Sequence, residues 1–194
     1  MNDIICSHLY KTYNGIEVLR GFTAVFAGGT GTAVMAPSGA GKTTLLRILA
    51  GIEQPDAGSV QGLAGQRISM VFQEDRLCGD LDAESNIRLV TPALPREEVR
   101  EAMAAAGLSE LSETGRPVRE FSGGMKRRVA ILRAALYPGD VLLLDEPFRG
   151  LDEETRARTA EWLQAKWEGR TKILVTHDAS EPALLACGDV FHMA

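Results

Sequence analysis

The feature that most constrains the fold of this chain is the stretch from Ala36 to Thr44, whose sequence is Ala-Pro-Ser-Gly-Ala-Gly-Lys-Thr-Thr. An apolar run from Thr32 to Met35 precedes it, and helically spaced apolar residues from Leu45 to Ala50 follow it. A glycine-rich turn between a strand and a helix lets successive backbone N–H groups surround one anion, and the helix adds its positive N-terminal end. The stretch therefore predicts a phosphate-binding loop.

Each residue type in this loop has a chemical role in that prediction. Gly39 and Gly41 permit backbone torsions that other residues avoid. Lys42 supplies a full charge for the β- and γ-phosphates of a nucleotide, and the hydroxyl of Thr43 is placed to bind Mg²⁺. The alternative is a plain strand-to-helix turn that carries a lysine. The predicted nucleotide-binding residues of the loop are Ser38, Gly39, Ala40, Gly41, Lys42, Thr43 and Thr44.

Length and charge fit a single domain without a nucleic-acid surface. The chain has 194 residues, 45% of them hydrophobic, which is enough for one substantial core and too little for two ordinary domains. The formal charge is -5 and both signs are mixed along the chain, which argues against nucleic acid as the main partner. The dense basic run from Lys126 to Arg128 is interpreted as a solvated helix face or a local phosphate contact.

Cysteine usage and hydropathy favour a cytosolic protein. Cys6, Cys78 and Cys187 are far apart and lack metal-ligand spacing, so we expect reduced thiols. Met1 to Tyr10 has no leader pattern, and no apolar run reaches membrane-spanning length. We therefore expect a chain that does not itself cross a bilayer.

The N-terminal residues predict an antiparallel sheet. Ile4 to Tyr10 and Val18 to Phe26 are rich in apolar, β-branched and aromatic residues, and the turn signal Asn14-Gly15 separates them. The ring of Tyr13 could stack on a nucleotide base, but the residues alone favour strand packing for it.

Helices are predicted in the middle of the chain, after a loop over Gln54–Gly58 and a strand over Arg67–Phe72. Pro95 and the acids after it are typical of a helix start, and Gly107 ends that helix. Ser122 and the two glycines after it open a second helix, which ends before Pro138. Helices between two β-rich parts indicate an inserted subdomain.

A second chemical centre is predicted at the end of a buried strand. Val141 to Leu144 is apolar at every position, and Asp145 and Glu146 follow directly. Asp145 can hold Mg²⁺, and Glu146 can accept a proton from an attacking water. Exposed loop acids are the alternative. His177 follows another apolar strand, and the residues alone leave it open between a structural and a catalytic role.

Taken together, these stretches resemble the ATP-binding subunit of ABC transporters over nearly the whole chain. Tyr13 lies where that family places an aromatic residue that stacks on adenine, which favours base stacking there. The motifs that carry the resemblance, in chain order, are Ala36–Thr44 (Walker A), Gln73 (Q-loop), Phe121–Met125 (signature), Val141–Glu146 (Walker B), Gly150–Asp152 (D-loop) and His177 (switch histidine).

The resemblance implies an α/β fold, in which a P-loop NTPase core carries an N-terminal antiparallel β subdomain and an inserted α-helical subdomain. Residues 1–194 would form a single ABC ATPase domain. Its ATP-binding lobe would comprise 1–72 and 123–194, and its helical subdomain about 74–122 with the signature at its end. ATP and Mg²⁺ are the ligands implied.

The resemblance also implies residue roles in a head-to-tail pair. The implied catalytic residues are Lys42, Glu146 and His177. The implied metal site consists of Thr43, Gln73 and Asp145. The implied signature residues, which bind the ATP of the opposite subunit, are Ser122, Gly123, Gly124 and Met125. Asp152 is implied as a dimer contact.

By the same resemblance, the chain energises an importer by hydrolysing ATP. The partners implied are a second copy or a paralogue, transmembrane permease subunits and, in the assembled importer, a solute-binding protein. The location implied is cytoplasmic and peripheral at the inner face of the cell membrane. Met125 and the run Phe72–Leu77 resemble the branch that serves nitrate, sulfonate and taurine importers, hence small anionic or organic solutes. An exporter or a non-transport mechanochemical ATPase is the alternative.

Some residues depart from the family pattern, and rival protein classes would need features that this sequence does not match. Ala36, Phe121 and Met125 stand where the family has glycine, leucine and glutamine. A GTPase would need a base-reading Asn-Lys-x-Asp, which the chain lacks. An ATPase of DNA repair or translation would carry a long coiled-coil insert or a second cassette, and the span from Gln73 to Ser122 is too short for such an insert. Glu146 and His177 both argue against a module that binds ATP without hydrolysing it.

Overall fold

Two sheets and six helices form the part of the chain that the structure, a computed structural model, describes: residues 2–37, 39–111 and 115–193. The strands are β1 (Ile4–Tyr13), β2 (Ile16–Phe26), β3 (Gly31–Met35), β4 (Ala57–Gln61), β5 (Ile68–Val71), β6 (Val141–Asp145), β7 (Thr171–Thr176) and β8 (Cys187–His192). The helices are α1 (Lys42–Leu49), α2 (Ala83–Arg88), α3 (Arg96–Ala105), α4 (Gly123–Leu136), α5 (Glu153–Lys166) and α6 (Glu181–Leu184).

The predicted antiparallel sheet is present at the N-terminus. β1 and β2 form a hairpin whose turn residues, Asn14 and Gly15, both have positive φ, at 49° and 80°. Such torsions match the twist of the two strands, which explains the Asn-Gly signal. The loop predicted over Gln54–Gly58 is wrong at its end, because β4 begins at Ala57 and pairs with β1. That pairing satisfies the backbone edge of β1.

The second sheet is parallel and has the strand order β5-β6-β7-β3-β8. Every residue of β6 and β7 is buried, as the continuous apolar runs predict for strands covered on both faces. Together with the N-terminal sheet this confirms the predicted α/β fold. The residue boundaries of a separate helical subdomain stay a prediction.

The side chains of the parallel strands alternate between two apolar cores. Leu143 and Val175 pack with α1 and the N-terminal hairpin, whereas Leu142 and Leu174 pack with α4 and α5. This alternation follows from the two-residue period of a strand. A third apolar cluster joins α2 and α3 to the other side of α4, through residues that include Val129. The cores hold the sheet rigidly, so the loops at its edge start from fixed positions.

Among the described residues, no helix has both the length and the apolar character that crossing a membrane requires.

Trp167 offers a test of how tightly the core under α4 is packed. Its side chain is fully buried, and its indole Nε1 donates to the carbonyl oxygen of Ala135 at 2.8 Å. Trp167→Phe removes that donor and leaves a cavity, so we expect the free energy of unfolding to fall by about 2–3 kcal/mol. Urea titration followed by circular dichroism measures it. Trp162→Phe is the matched control, since Trp162 is only partly buried against the same core. An equal loss in both variants would contradict the expectation.

Candidate active site

Four loops that carry predicted site residues leave the same edge of the parallel sheet. The phosphate-binding loop follows β3, Gln73 follows β5, Glu146 follows β6 and His177 follows β7. Because the strands are parallel, their carboxyl ends meet at one edge, which is where ligands bind in open α/β sheets. The topology therefore brings together residues that are far apart in the sequence.

The phosphate-binding loop has the backbone that its glycines predict. Gly39 and Gly41 have φ values of 85° and 86°, in the left-handed region that favours glycine. A Cβ at Gly41 would lie 2.6 Å from the carbonyl oxygen of Val18, so the space also requires glycine. α1 begins at Lys42, directly after this turn. Ser38 lies outside the described residues.

Lys42 is buried at the base of the loop and is held by backbone carbonyls. Its Nζ donates to the carbonyl oxygens of Ala36 at 2.6 Å and Pro37 at 3.0 Å. The same Nζ lies 4.0 Å from Oε1 of Glu146. The ammonium is therefore fixed between the loop and the catalytic carboxylate predicted from the sequence.

Glu146 connects the other two predicted catalytic residues. Its Oε1 lies 2.9 Å from Nδ1 of His177 and faces Lys42 on its other side. Glu146 has a φ of 45°, and its N–H donates to the carbonyl oxygen of Val175 at 2.9 Å. A positive φ is costly for a residue with a side chain, and such strain clusters at functional sites.

Asp145 provides a carboxylate oxygen suited to a metal ion. Its side chain is buried, and its Oδ2 has no hydrogen-bond partner among the described residues. Burial raises the pKa of the Asp145 carboxyl, and a hydrogen bond with Thr43 opposes that shift. A buried carboxylate oxygen without a partner, next to a threonine hydroxyl, is a donor set that fits Mg²⁺.

No group of three or more histidine, cysteine, aspartate or glutamate side chains that could hold a metal ion occurs in the described part of the chain. The predicted site is of a different kind, because Thr43 and Gln73 would bind through a hydroxyl and an amide oxygen.

Lys42 and Glu146 line a cavity of about 270 Å³, whereas Asp145 and His177 are not among the described residues that line it. Val18 is a further lining residue, and no local pattern in the sequence predicts a site role for a strand valine. Ala40 lines a neighbouring cavity of about 620 Å³ together with Gly39. The residues that line the first cavity are Tyr13, Val18, Gly39, Gly41, Lys42, Thr43, Thr44, Gln73 and Glu146.

Tyr13 is anchored at the rim of this cavity. Its hydroxyl donates to the carboxylate of Glu53, and Nζ of Lys11 lies 5.5 Å from the centre of its ring. Lys11 is itself held by Asp56, whose Oδ1 lies at 3.0 Å. The sequence does not reveal the contact with Glu53, because that residue lies 40 positions from Tyr13 and reaches it only in the folded chain. Base stacking by Tyr13 stays a prediction.

The predicted signature residues lie apart from the cavity of their own chain. Ser122 caps α4, and its hydroxyl accepts a hydrogen bond from the N–H of Met125 at 3.3 Å. Gly123 and Gly124 form the first turn of that helix. None of these four is among the described residues that line the cavity at Lys42.

Asp152, the predicted dimer contact, has a local role in the single chain. Its side chain caps α5 by accepting hydrogen bonds from the N–H and the hydroxyl of Thr155, at 2.9 and 2.8 Å. Its contact with a second copy stays a prediction.

The solvated face predicted for the basic run from Lys126 to Arg128 is wrong for Arg127, which is only 3% exposed. Its guanidinium donates to backbone carbonyls beside the site, including that of Glu146. The helical period carried a signal for this, because Arg127 shares a face of α4 with Ile131 and Ala134, which are both buried.

The chain matches the family model described as "ABC transporter" over residues 19–149. It is similar to the aliphatic sulfonates import ATP-binding protein SsuB of Ralstonia nicotianae, with 37% identity over 188 residues, covering 93% of this chain and 66% of that protein. SsuB 1 of Rhodococcus jostii is 41% identical over 180 residues, covering 90% of this chain and 72% of that protein. The chain thus spans about two thirds of the length of these relatives.

Solved structures agree with this relationship. The dimeric structure of a bacterial ABC transporter cassette superposes with a TM-score of 0.87 at 25% identity, covering 98% of this chain and 94% of that one. A bacterial Atm1-family ABC exporter with ATP bound gives a TM-score of 0.86 at 26% identity, covering 100% of this chain and 37% of that one. The chain therefore belongs to the ATP-binding proteins of the ABC transporter family.

Proposed function

We propose that this chain binds and hydrolyses ATP to energise an ABC importer of small anionic solutes. The observation that carries the ATPase assignment is the contact of Glu146 with both Lys42 and His177, beside a cavity that Lys42, Glu146 and the phosphate-binding loop line. The importer and its class of solute are supported by the relatives, whose names refer to the import of aliphatic sulfonates.

The triphosphate of ATP would bind over the N-terminus of α1. The loop presents backbone N–H groups, and the helix adds its positive end. Lys42 would exchange its bonds to the Ala36 and Pro37 carbonyls for the β- and γ-phosphate oxygens. Tyr13, tethered by Glu53, would offer its ring to the adenine.

Thr43, Asp145 and Gln73 are the residues that would hold Mg²⁺. The buried unpartnered Oδ2 of Asp145 and the adjacent Thr43 hydroxyl support this assignment, and Gln73 lines the same cavity. When bound, Mg²⁺ offsets the charge of the phosphate oxygens during phosphoryl transfer.

Glu146 and His177 would handle the attacking water and the γ-phosphate. Glu146 can accept the proton of a water that attacks the γ-phosphate, because its carboxylate faces the cavity beside Lys42. The contact with Nδ1 of His177 holds that ring beside Glu146, which lines the cavity. Phosphoryl transfer depends mainly on positioning and charge, and these residues supply both.

The active assembly would be a head-to-tail pair of copies, or of this chain and a paralogue. The signature residues do not line the cavity of their own chain and would close the site of the opposite copy, with Asp152 at the contact; they are Ser122, Gly123, Gly124 and Met125. Residues 1–72 and 123–194 would form the ATP-binding lobe, and about 74–122 the helical subdomain. The pair would lie at the inner face of the membrane on permease subunits, with a solute-binding protein in the full importer.

Glu146→Gln tests the proposed general base. Glutamine keeps the shape of the side chain but cannot accept the proton, so we expect ATP turnover to fall roughly 10²- to 10⁴-fold while ATP affinity is kept. Phosphate release and nucleotide titration measure the two quantities. Glu161→Gln, on the exposed face of α5, is the control and should match wild type. Wild-type turnover in Glu146→Gln would remove Glu146 from this role.

A mixture of two inactive variants tests the paired site. Lys42→Ala should weaken ATP binding at least about tenfold, since it removes a charged donor to phosphate. Ser122→Asp keeps the cap of α4 but places a negative charge where the partner's γ-phosphate would bind. Each variant alone should be nearly inactive.

In an equal mixture, half of the pairs are mixed and each has one complete site, so we expect roughly a quarter of wild-type activity. Steady-state phosphate release over a range of mixing ratios provides the measurement. Activity that stays at the level of the separate variants would argue against the head-to-tail arrangement.

Import is tested in proteoliposomes that hold this chain with its permease and solute-binding protein. We expect ethanesulfonate outside the vesicles to stimulate ATP hydrolysis several-fold and to accumulate within them, because binding-protein docking favours the closed pair. The Glu146→Gln assembly serves as the control and should accumulate nothing. Efflux without uptake would assign the chain to an exporter instead.

A further inference from the structure

Arg127 binds the backbone of three consecutive residues, which are Asp145, Glu146 and Pro147. Its Nη2 donates to the carbonyl oxygens of Asp145 at 2.8 Å and Glu146 at 2.6 Å. Its Nε donates to the carbonyl oxygen of Pro147 at 2.7 Å. One guanidinium thus holds three consecutive carbonyls at the end of β6.

The other edge of the same guanidinium holds the loop that carries Gln73. Nη1 donates to the carbonyl oxygens of Phe72 at 2.5 Å and Gln73 at 3.4 Å. It also lies 3.3 Å from Oδ1 of Asp75, with which it forms an ion pair. Arg127 therefore links the loop after β5 to the loop after β6, from a position on the helix that begins with the signature residues.

These contacts bear on the strained backbone of Glu146. Its φ of 45° turns the carboxylate toward Lys42 and His177, and such a torsion persists only where the surroundings fix it. Val175 accepts the N–H of Glu146, and Arg127 donates to its carbonyl oxygen. The peptide groups on both sides of the strained residue are thereby held.

The chemistry of arginine suits this position. Its planar fork presents five donors in fixed directions, whereas a lysine ammonium could reach only one of the two loops at a time. Burial lowers the pKa of Arg127 and the Asp75 carboxylate opposes that shift, but the ordinary value for arginine is so high that the side chain stays charged.

We propose that Arg127 is a positioning residue for ATP hydrolysis, which fixes the backbone of Glu146 and couples it to the loop of Gln73. This rests on the proposed function, since Arg127 acts through Glu146 and touches no substrate. Its loss should leave ATP bound and slow the chemical step. Loss of the Arg127 side chain would also let α4, the helix that begins with the signature residues, move without carrying the catalytic loops of its own subunit.

An arginine on α5 supplies the control. Arg158 donates to the carbonyl oxygens of Ala104 and Ala105, both at 2.7 Å, at the end of α3. None of these three residues is among the described residues that line the cavity at Lys42. Arg127→Met and Arg158→Met thus remove the same charge and the same kind of backbone contact, but from different segments of the chain.

The test is a double-variant cycle in the full chain, with kcat and KM for ATP measured for each variant. We expect Arg127→Met to lower kcat roughly 10- to 100-fold with KM changed less than about threefold, because misplaced catalytic groups slow the chemistry more than the binding. Arg158→Met should stay within about twofold of wild type. In the Glu146→Gln background, Arg127→Met should lower kcat by no more than about twofold further, since the group it positions is already disabled.

Several outcomes would overturn the positioning role. A kcat for Arg127→Met equal to that of Arg158→Met would do so, as would a rise in KM alone. Fully additive losses in the double variant, with Glu146→Gln inactive as expected, would overturn it and leave the proposed function intact. An active Glu146→Gln variant would overturn both.

Circular dichroism and ATP titration establish whether each variant folds and binds. If Arg127→Met does not fold, the same cycle is measured with Arg127→Lys. Lysine keeps the positive charge and a similar volume, but its ammonium can reach only one of the two loops. We expect its kcat to fall about tenfold. A wild-type kcat for Arg127→Lys would then overturn the proposal.

Discussion

The parallel register of β3, β6 and β7 is the constraint on which the site depends. Met35 pairs with Thr176, and Asp145 pairs with Val175, so the loops that follow these strands start side by side. Each strand is buried on both faces, which prevents it from sliding, because a slip of one residue would exchange its two faces. The close contacts among Lys42, Glu146 and His177 are therefore set by backbone pairing and apolar packing before any ligand binds.

Polar groups at this edge are held by backbone atoms more than by other side chains. Lys42 rests on two loop carbonyls, Glu146 is held through its own N–H and carbonyl, and Arg127 spans two loops by carbonyl contacts. The positions of backbone carbonyls depend little on which side chains surround them. A site that is held by carbonyls therefore keeps its geometry when the surrounding side chains differ. Asp145 is the exception, since its buried Oδ2 has no partner among the described residues and is costly without a cation.

Local sequence patterns predicted most of the fold and the residues at the centre of the site. The hairpin followed from Asn14-Gly15, the loop from its glycines, and β6 from four consecutive apolar residues. What the sequence could not supply are contacts between distant segments. Arg127 lies 54 residues from Gln73, and Tyr13 lies 40 residues from Glu53. The helical period places Arg127 on a buried face of α4, but only tertiary packing decides which backbone carbonyls its guanidinium reaches.

The carbonyl contacts of Lys42 have a consequence for ligand discrimination. A lysine that already has two acceptors gains little by exchanging them for a lone inorganic phosphate, which offers oxygens but few further contacts. A chain of three phosphates would meet the loop N–H groups and the helix end at the same time, which would help to offset the loss of the two carbonyl contacts. Any anion that displaces both carbonyls has to offer the ammonium acceptors of its own.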